Sequence, residues 1–349
     1  MKTDLEALLI QKIGSEGPIS LYEFMSLALY HPQYGYYKNP NRIGQNGDFI
    51  TSPEISQVFG ELIAIWFIVK WQEKWPEGPL IFLELGPGRG TFLSDFLRVL
   101  NKIPDLNARI QCYCLETNPY HKAEITKKCE AIKDIHFIES LAELPESPLF
   151  FFGNEFFDAF PIQQFVYQNQ KWQELYITFH DDFQLTIGES DQAQKAYEAY
   201  FPSKPQEGDL FELNSAMISL MTVLSMHLKT HGGAGLIIDY GDFSKPPQSS
   251  LQAVKGHRQV PIFTAIGETD LTTHIDFSCL DQIAKEHGMT SRSFSTQRDF
   301  LLSLGLRDRV MKLCEHASSD EKKADIVSRA ERLVDQGQMG ELFKVMSFE

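Results

Sequence analysis

Apolar and polar positions change rhythm along this chain. Up to about residue 75 the apolar positions fall at helical spacing, most clearly Ile55, Val58, Phe59, Leu62, Trp66 and Val69. Thr51-Ser52-Pro53-Glu54 predicts the start of that helix, with Thr or Ser as N-cap, Pro in the first turn and Glu54 three residues after Thr51, as in a capping box. Before it lies HPQYGYYKNPNRIGQNGDF, a loop crowded with Gly, Pro, Asn and Tyr. From about residue 79 short apolar runs alternate with helical stretches. The runs are Leu80 to Leu85, Ile110 to Leu115, Ile135 to Ile138 and Leu149 to Phe152, and the helices are Thr91 to Leu100 and Pro119 to Ala131. This alternation predicts a parallel sheet with helices on both faces, and continuously apolar strands such as PLIFLEL suit it.

Further on, residues 162 to 178 read as two strands around a turn at Gln168 to Lys171. Residues 189 to 209 read as a polar, helix-prone excursion, Ser215 to Lys229 as a helix and Gly235 to Ile238 as a buried strand. Residues 244 to 274 show few periodic features and read as one long segment, a length that in a compact domain usually serves function. A helix around 277 to 287 and a last apolar run at Leu342 to Phe348 follow. The expected fold is α/β. Residues 1–75 form a helical region or lid, and residues 76–349 form the main domain, with insertions around 162–210 and 244–275.

Composition narrows the function. A formal net charge of −15 over 349 residues repels phosphate backbones and argues against nucleic-acid binding, while suiting a basic partner. The longest apolar run, Leu62 to Val69, is too short to span a bilayer. Five cysteines, an odd number without a C-x-x-C pair, read as reduced thiols. The N-terminal stretch reads as a short amphipathic helix and not as a signal or transit peptide, so the expected location is cytoplasmic. No H-E-x-x-H or Cys/His cluster occurs, so no metal is expected, and no G-x-S-x-G elbow points to hydrolysis.

The stretch FLELGPGRGTF carries the strongest chemical signal. Gly86, Gly88 and Gly90 stand between a strand and a helix beginning near Gly90 or Thr91, where glycine lets a ligand approach the backbone. A dinucleotide fingerprint would need G-x-G-x-x-G, and Thr91 stands where the third glycine belongs. The pattern is E-x-G-x-G-x-G instead. Glu84, before the first glycine, would repel a pyrophosphate and suits a ligand carrying an amino group. S-adenosylmethionine has that group, a sulfonium and no phosphate. Glu116 ends the second strand, where an acid can accept both ribose hydroxyls, and Gly153-Asn154-Glu155 ends the fourth, at the edge where such folds bind ligands.

Together HPQYGYY, GDFITSPEISQVFGE, LELGPGRGT, GNEFFDAFPI, LIIDYG, GHRQV, GETDLTTHIDF and MGELFKV resemble the MidA-like family of class I methyltransferases, from residue 31 to residue 345. That family includes a mitochondrial complex I assembly factor that methylates arginine. The resemblance implies a seven-stranded, Rossmann-like methyltransferase fold, S-adenosylmethionine as donor and a protein arginine as acceptor. In the mitochondrial relatives that arginine lies in a core subunit of the NADH:quinone oxidoreductase. The expected partner is thus an arginine-bearing protein, with a homodimer left open. A non-catalytic assembly chaperone and a nucleotide-dependent oxidoreductase stand as the alternatives.

Arginine as acceptor gives the remaining acids a task, because a guanidinium forks well onto carboxylates. Glu155 and Asp158 are the candidate pair, Asp158 being equally suited to cap a following helix. His274, in ETDLTTHIDF, is a candidate proton acceptor, and His257, in GHRQV, has the same status. Asp239 and Tyr240 face an acceptor cleft or start a turn. Asp48, Thr51 and Ser52 are candidates to line the donor pocket, with Glu54 read as a helix-start residue.

Overall fold

The computed structural model describes residues 3–38, 50–75, 77–130, 132–188, 191–244, 246–289 and 292–349. The chain opens with helix α1 (Asp4–Glu16), a two-residue strand β1 (Ile19–Ser20) and helix α2 (Leu21–Tyr30). Further on come the short helix α3 (Ser52–Ile55) and the long α4 (Gln57–Lys74). The single helix expected from Thr51 onward is therefore two. Ser56 is extended between them, with φ −152° and ψ 131°, and its hydroxyl accepts from the Val58 N–H to cap α4.

Next comes the alternating region. It runs β2 (Leu80–Leu85), α5 (Thr91–Leu100), α6 (Pro104–Arg109), β3 (Ile110–Leu115), α7 (Pro119–Cys129), β4 (Ile135–Ile138) and β5 (Leu149–Asn154). A hairpin follows, β6 (Gln163–Gln168) and β7 (Lys171–Phe179). Asn169 and Gln170 connect its strands, both with positive φ, as a tight two-residue turn requires. The strand β8 (Phe183–Gly188) extends this hairpin on β7. The expected excursion holds a short helix, α8 (Asp191–Ala196), and a 3-10 turn at Glu198–Tyr200 before β9 (Leu210–Leu213) returns to pair with β6.

Helix α9 (Ser215–His231) leads into β10 (Gly233–Asp242). The segment expected to be irregular is instead a small antiparallel sheet of β11 (Gln252–Lys255), β12 (Arg258–Val260) and β13 (Asp270–Thr272). His257 sits exposed at the β11–β12 turn with φ 61°. The chain ends with β14 (Ile275–Asp276), α10 (Phe277–Glu286), β15 (Arg292–Thr296), α11 (Gln297–Ser303), α12 (Leu306–Glu315), α13 (Asp320–Val334), α14 (Met339–Leu342) and β16 (Phe343–Phe348).

The main sheet has the order β15-β16-β10-β5-β2-β3-β4, with β14 added beside β10. From β10 to β4 the pairings are parallel, and β16 runs antiparallel to both neighbours. Successive side chains of a strand face opposite ways, so β2 feeds two cores. Leu80 and Phe82 join a cluster with Phe67 of α4 and Phe96 of α5. Ile81, Leu83 and Leu85 join one with Leu224 of α9 and Ile283 of α10. The Phe82 and Phe96 rings stack with centroids 4.0 Å apart, and burying each such ring contributes roughly 1.5–3 kcal/mol. A third core binds α1 and α2 to the β6–β7 hairpin and the small sheet through Leu9, Phe24, Ile177 and Leu271.

This topology sets the position of the site. The chain moves outward from β2 to β3 and β4, then crosses back to lay β5 on the other side of β2. Loops leaving β2 and β5 diverge there and open a crevice at the carboxyl edge of the sheet. No described helix is long and apolar enough to cross a membrane.

Candidate functional site

A cavity of about 550 Å³ fills that crevice. On one side it is lined by Glu84 and the loop Gly86 to Arg89, by Thr91 at the start of α5, and by Glu116 after β3. Across from them stand Asn154, Glu155 and Phe156 after β5. Thr51, Pro53 and Glu54 of the N-terminal segment line it too, together with Tyr30 and Tyr37.

The glycine loop is left-handed at all three glycines, with φ 59°, 51° and 69° at Gly86, Gly88 and Gly90. Each has a different reason. A Cβ on Gly86 would meet the Phe156 ring at 2.5 Å, and one on Gly90 would meet Ile125 at 2.7 Å. A Cβ on Gly88 would meet nothing within 4 Å, so that position faces open space in the cavity wall. Gly86 and Gly90 are thus glycine for packing, and Gly88 leaves room for a ligand against the backbone.

Glu84 is 5% exposed, and its Oε2 is buried with no hydrogen-bond partner among the described residues. Burial pushes its pKa up to about 8, with the nearby Glu116 adding to the effect. An orphaned buried carboxyl oxygen at a cavity wall fits a ligand that brings a cation. Glu116 is held from both sides: Oε1 accepts from the Asn118 N–H at 2.7 Å, and Oε2 lies 3.1 Å from Nδ1 of the buried His121. Sequence reading missed His121, which also lines the cavity. Its spacing from Glu116 carried a signal, since five residues into a helix start folds a side chain back over the strand end.

Glu155 directly follows β5 and has φ 49°, costly for a residue with a Cβ. Its Oε1 accepts from the Ser52 N–H at 3.0 Å and from Asn154 Nδ2 at 2.8 Å. Burial pushes its pKa up to about 7, against the pull of those two donors. The backbone strain is held by Asp239, buried in β10, whose carboxylate accepts from the N–H groups of Phe156, Phe157 and Tyr240. Asp239 therefore shapes the β5 turn and does not stand among the residues lining the cavity.

The structure places the remaining sequence candidates as follows. Thr51 lines the cavity but makes no side-chain cap. Its carbonyl accepts from the N–H groups of Glu54 and Ile55, so the turn forms without a capping box. The free Ser52 N–H is satisfied by Glu155 instead, and the Ser52 hydroxyl is buried against Gln297. Glu54 stands in the first turn of α3, as its helix-start reading expects, and it also lines the cavity. Asp158 precedes no helix, so the capping alternative fails; it lies buried in the turn before β6, near Asp239 and Asp270, and does not line the cavity. His274 lies beside a smaller cavity of about 70 Å³, with Nδ1 3.4 Å from Asp242 and Nε2 3.1 Å from the Gln252 amide. Asp48 lies outside the described residues. All five cysteines are free, and no metal-binding group of His, Cys, Asp or Glu occurs among the described residues.

A doubly wound sheet with an acid-lined cavity at its switch point places this protein among the α/β folds that bind a small ligand at the carboxyl edge of the sheet. A family model described as "Putative S-adenosyl-L-methionine-dependent methyltransferase" matches residues 62–295, and the chain belongs to that family. Its methyl donor is S-adenosylmethionine. The chain is 32% identical over 371 residues to "Protein arginine methyltransferase NDUFAF7 homolog, mitochondrial" of Drosophila melanogaster, covering 96% of this chain and 82% of that one. It is 31% identical over 369 residues to the Danio rerio protein of the corresponding name, covering 97% and 85%. A Burkholderia thailandensis protein solved with S-adenosyl-homocysteine shares the fold at a TM-score of 0.83 and 24% identity, over 99% of this chain and 91% of that one. The methyltransferase fold expected from the sequence is thus the fold observed. The expected cytoplasmic location does not stand, because these relatives are named mitochondrial.

Proposed function

We propose that the acceptor is an arginine side chain of a partner protein, and that the cavity holds the donor on its glycine-loop side and the guanidinium on its Glu155 side. The observation that carries the reading is that one cavity joins the glycine loop, Glu84 and Glu116 to Glu155. The relatives' name as protein arginine methyltransferases and the net charge of −15 support the same acceptor.

Each residue then has a physical task. Glu84 sits where a donor's ammonium end would meet its unpartnered oxygen. Glu116, fixed by Asn118 and His121, presents carboxylate lone pairs to ribose hydroxyls. Gly88 leaves the loop open for close approach, Thr91 closes the same wall, and Asn154 stands across from them. When bound, the donor supplies a methyl group made electrophilic by its sulfonium. Glu155 carries the acceptor side. With a pKa near 7 it ionises when a guanidinium arrives, aligns one nitrogen, and takes the proton that this nitrogen loses on becoming alkylated.

The test is incubation with isotope-labelled S-adenosylmethionine and candidate acceptors, the core NADH dehydrogenase subunit first, followed by peptide mass spectrometry. Label on arginine is the expected result. Label confined to lysine, histidine or a small molecule would overturn the acceptor assignment.

A further inference from the structure

The N-terminal segment supplies a carboxylate to the same cavity that no sequence pattern assigned to it. Helix α3 is pinned to the β5 turn by the hydrogen bond from Ser52 N–H to Glu155, which places Glu54, two residues on, at the wall beside Glu155. The Glu54 carboxylate is close enough to raise the proton affinity of Glu155. The oxygens of Glu54 differ. Oε1 stands 4.0 Å from Nη1 of Arg89, on the glycine loop. Oε2 is buried and has no hydrogen-bond partner among the described residues. A helix-start glutamate would reach back to the N-cap backbone, yet this one makes no such bond and lines the cavity instead. A buried acceptor oxygen left without a donor is unfavourable and so calls for a partner. Asp158 does not reach this cavity and cannot supply the second acid.

Resting on the reading of arginine as acceptor, we propose that Glu54 and Glu155 together hold the incoming guanidinium, Glu54 contributing Oε2 from the N-terminal segment and Glu155 its carboxylate from the sheet edge. A guanidinium offers five N–H donors in a planar fork, enough for two carboxylates with one nitrogen left facing the donor. Burial raises the proton affinity of Glu54, and Arg89 and Lys128 pull it back down, Arg89 without occupying Oε2. The site is therefore assembled from two distant parts of the chain, and the acceptor bridges them.

The experiment uses the full chain saturated with S-adenosyl-homocysteine and titrated with N-ethylguanidinium, with n-butylammonium as the matched lysine-like probe, read by ligand-observed NMR. Wild type is expected to bind the guanidinium probe more tightly than the ammonium. Glu54→Gln and Glu155→Gln are each expected to weaken it at least fivefold, and Asp158→Asn to leave it within twofold. S-adenosyl-homocysteine affinity within twofold of wild type in every variant certifies the fold. Full guanidinium affinity in Glu54→Gln, with loss in Glu155→Gln, overturns the role of Glu54 and leaves the arginine reading standing. Wild-type preference for the ammonium probe overturns the arginine reading, and binding of neither probe overturns both.

Discussion

The two walls of the cavity are built differently. The donor wall comes from adjacent strands β2 and β3 and the loops that leave them, all within about forty residues, as the span Glu84 to His121 shows. Its shape is fixed by backbone: left-handed glycines against Phe156 and Ile125, and a Glu116 carboxylate tied on both sides. The acceptor wall joins residues about a hundred apart in sequence, since the bond from Ser52 to Glu155 spans 103 positions. It is held by the Ser52 hydrogen bond and the buried packing of α3, a strained Glu155 and the buried Asp239 beneath. A wall made of local backbone is preorganised whenever the sheet folds. A wall made of remote side chains depends on the docking of α3, and so is the more readily adjusted to a partner.

Substitutions should separate the two. The largest effect is expected from Gly88→Val, which puts a branched side chain into the open wall at a left-handed φ. Donor affinity should fall by about 10³-fold, about 4 kcal/mol, measured by calorimetry. Glu155→Gln should lower methyl transfer about 10²-fold while donor affinity stays near wild type, read from kcat beside a donor titration. Asp239→Ala strikes below the acceptor wall and leaves the N–H groups of Phe156 and Phe157 without their acceptor. It should cost about 1–3 kcal/mol in denaturant unfolding, and a larger share of acceptor than of donor binding.

The smallest effect is a proton. Glu84 is pushed up to about 8 by burial and then by Glu116, so in the ligand-free protein at pH 7 it is mostly protonated. A donor ammonium beside it favours the carboxylate, and binding should release a proton below about pH 8, seen as buffer-dependent heat. Affinity should therefore rise between pH 6 and pH 7, and Glu84→Gln should flatten that slope. The raised acid also acts on stability with a definite sign. Its folded pKa exceeds the unfolded value of 4.5, so the folded state holds the extra proton. Stability of the ligand-free protein should decline as pH climbs from about 4.5 through 8, and Glu155, pushed up to about 7, adds to the same decline.

The donor wall was legible in the sequence because its signals are local. Continuous apolar runs marked β2 and β3, the glycines and Thr91 marked the loop, and Glu84 and Glu116 stand at strand ends that such runs locate. The acceptor wall was only half legible. Glu155 follows a strand end, but Glu54 reads as a capping residue until Ser52 is seen to give its N–H to Glu155. Asp158 shares a motif with Glu155, yet the turn held by Asp239 sends it away from the cavity. The strands β8 and β11 to β13 were missed for another reason. The strands β11 to β13 are only three or four residues long with one or two apolar residues each, β8 lies largely exposed, and they exist because α1, α2 and the β6–β7 hairpin pack against them or pair with them.

The central claim is that one cavity has a donor wall anchored by Glu84 and an acceptor wall anchored by Glu155. It is tested most directly by calorimetric titration of S-adenosylmethionine into wild type, Glu84→Gln and Glu155→Gln at pH 7. The account predicts donor affinity at least tenfold weaker in Glu84→Gln and within twofold of wild type in Glu155→Gln. Equal loss in both variants, or loss in Glu155→Gln alone, would contradict it.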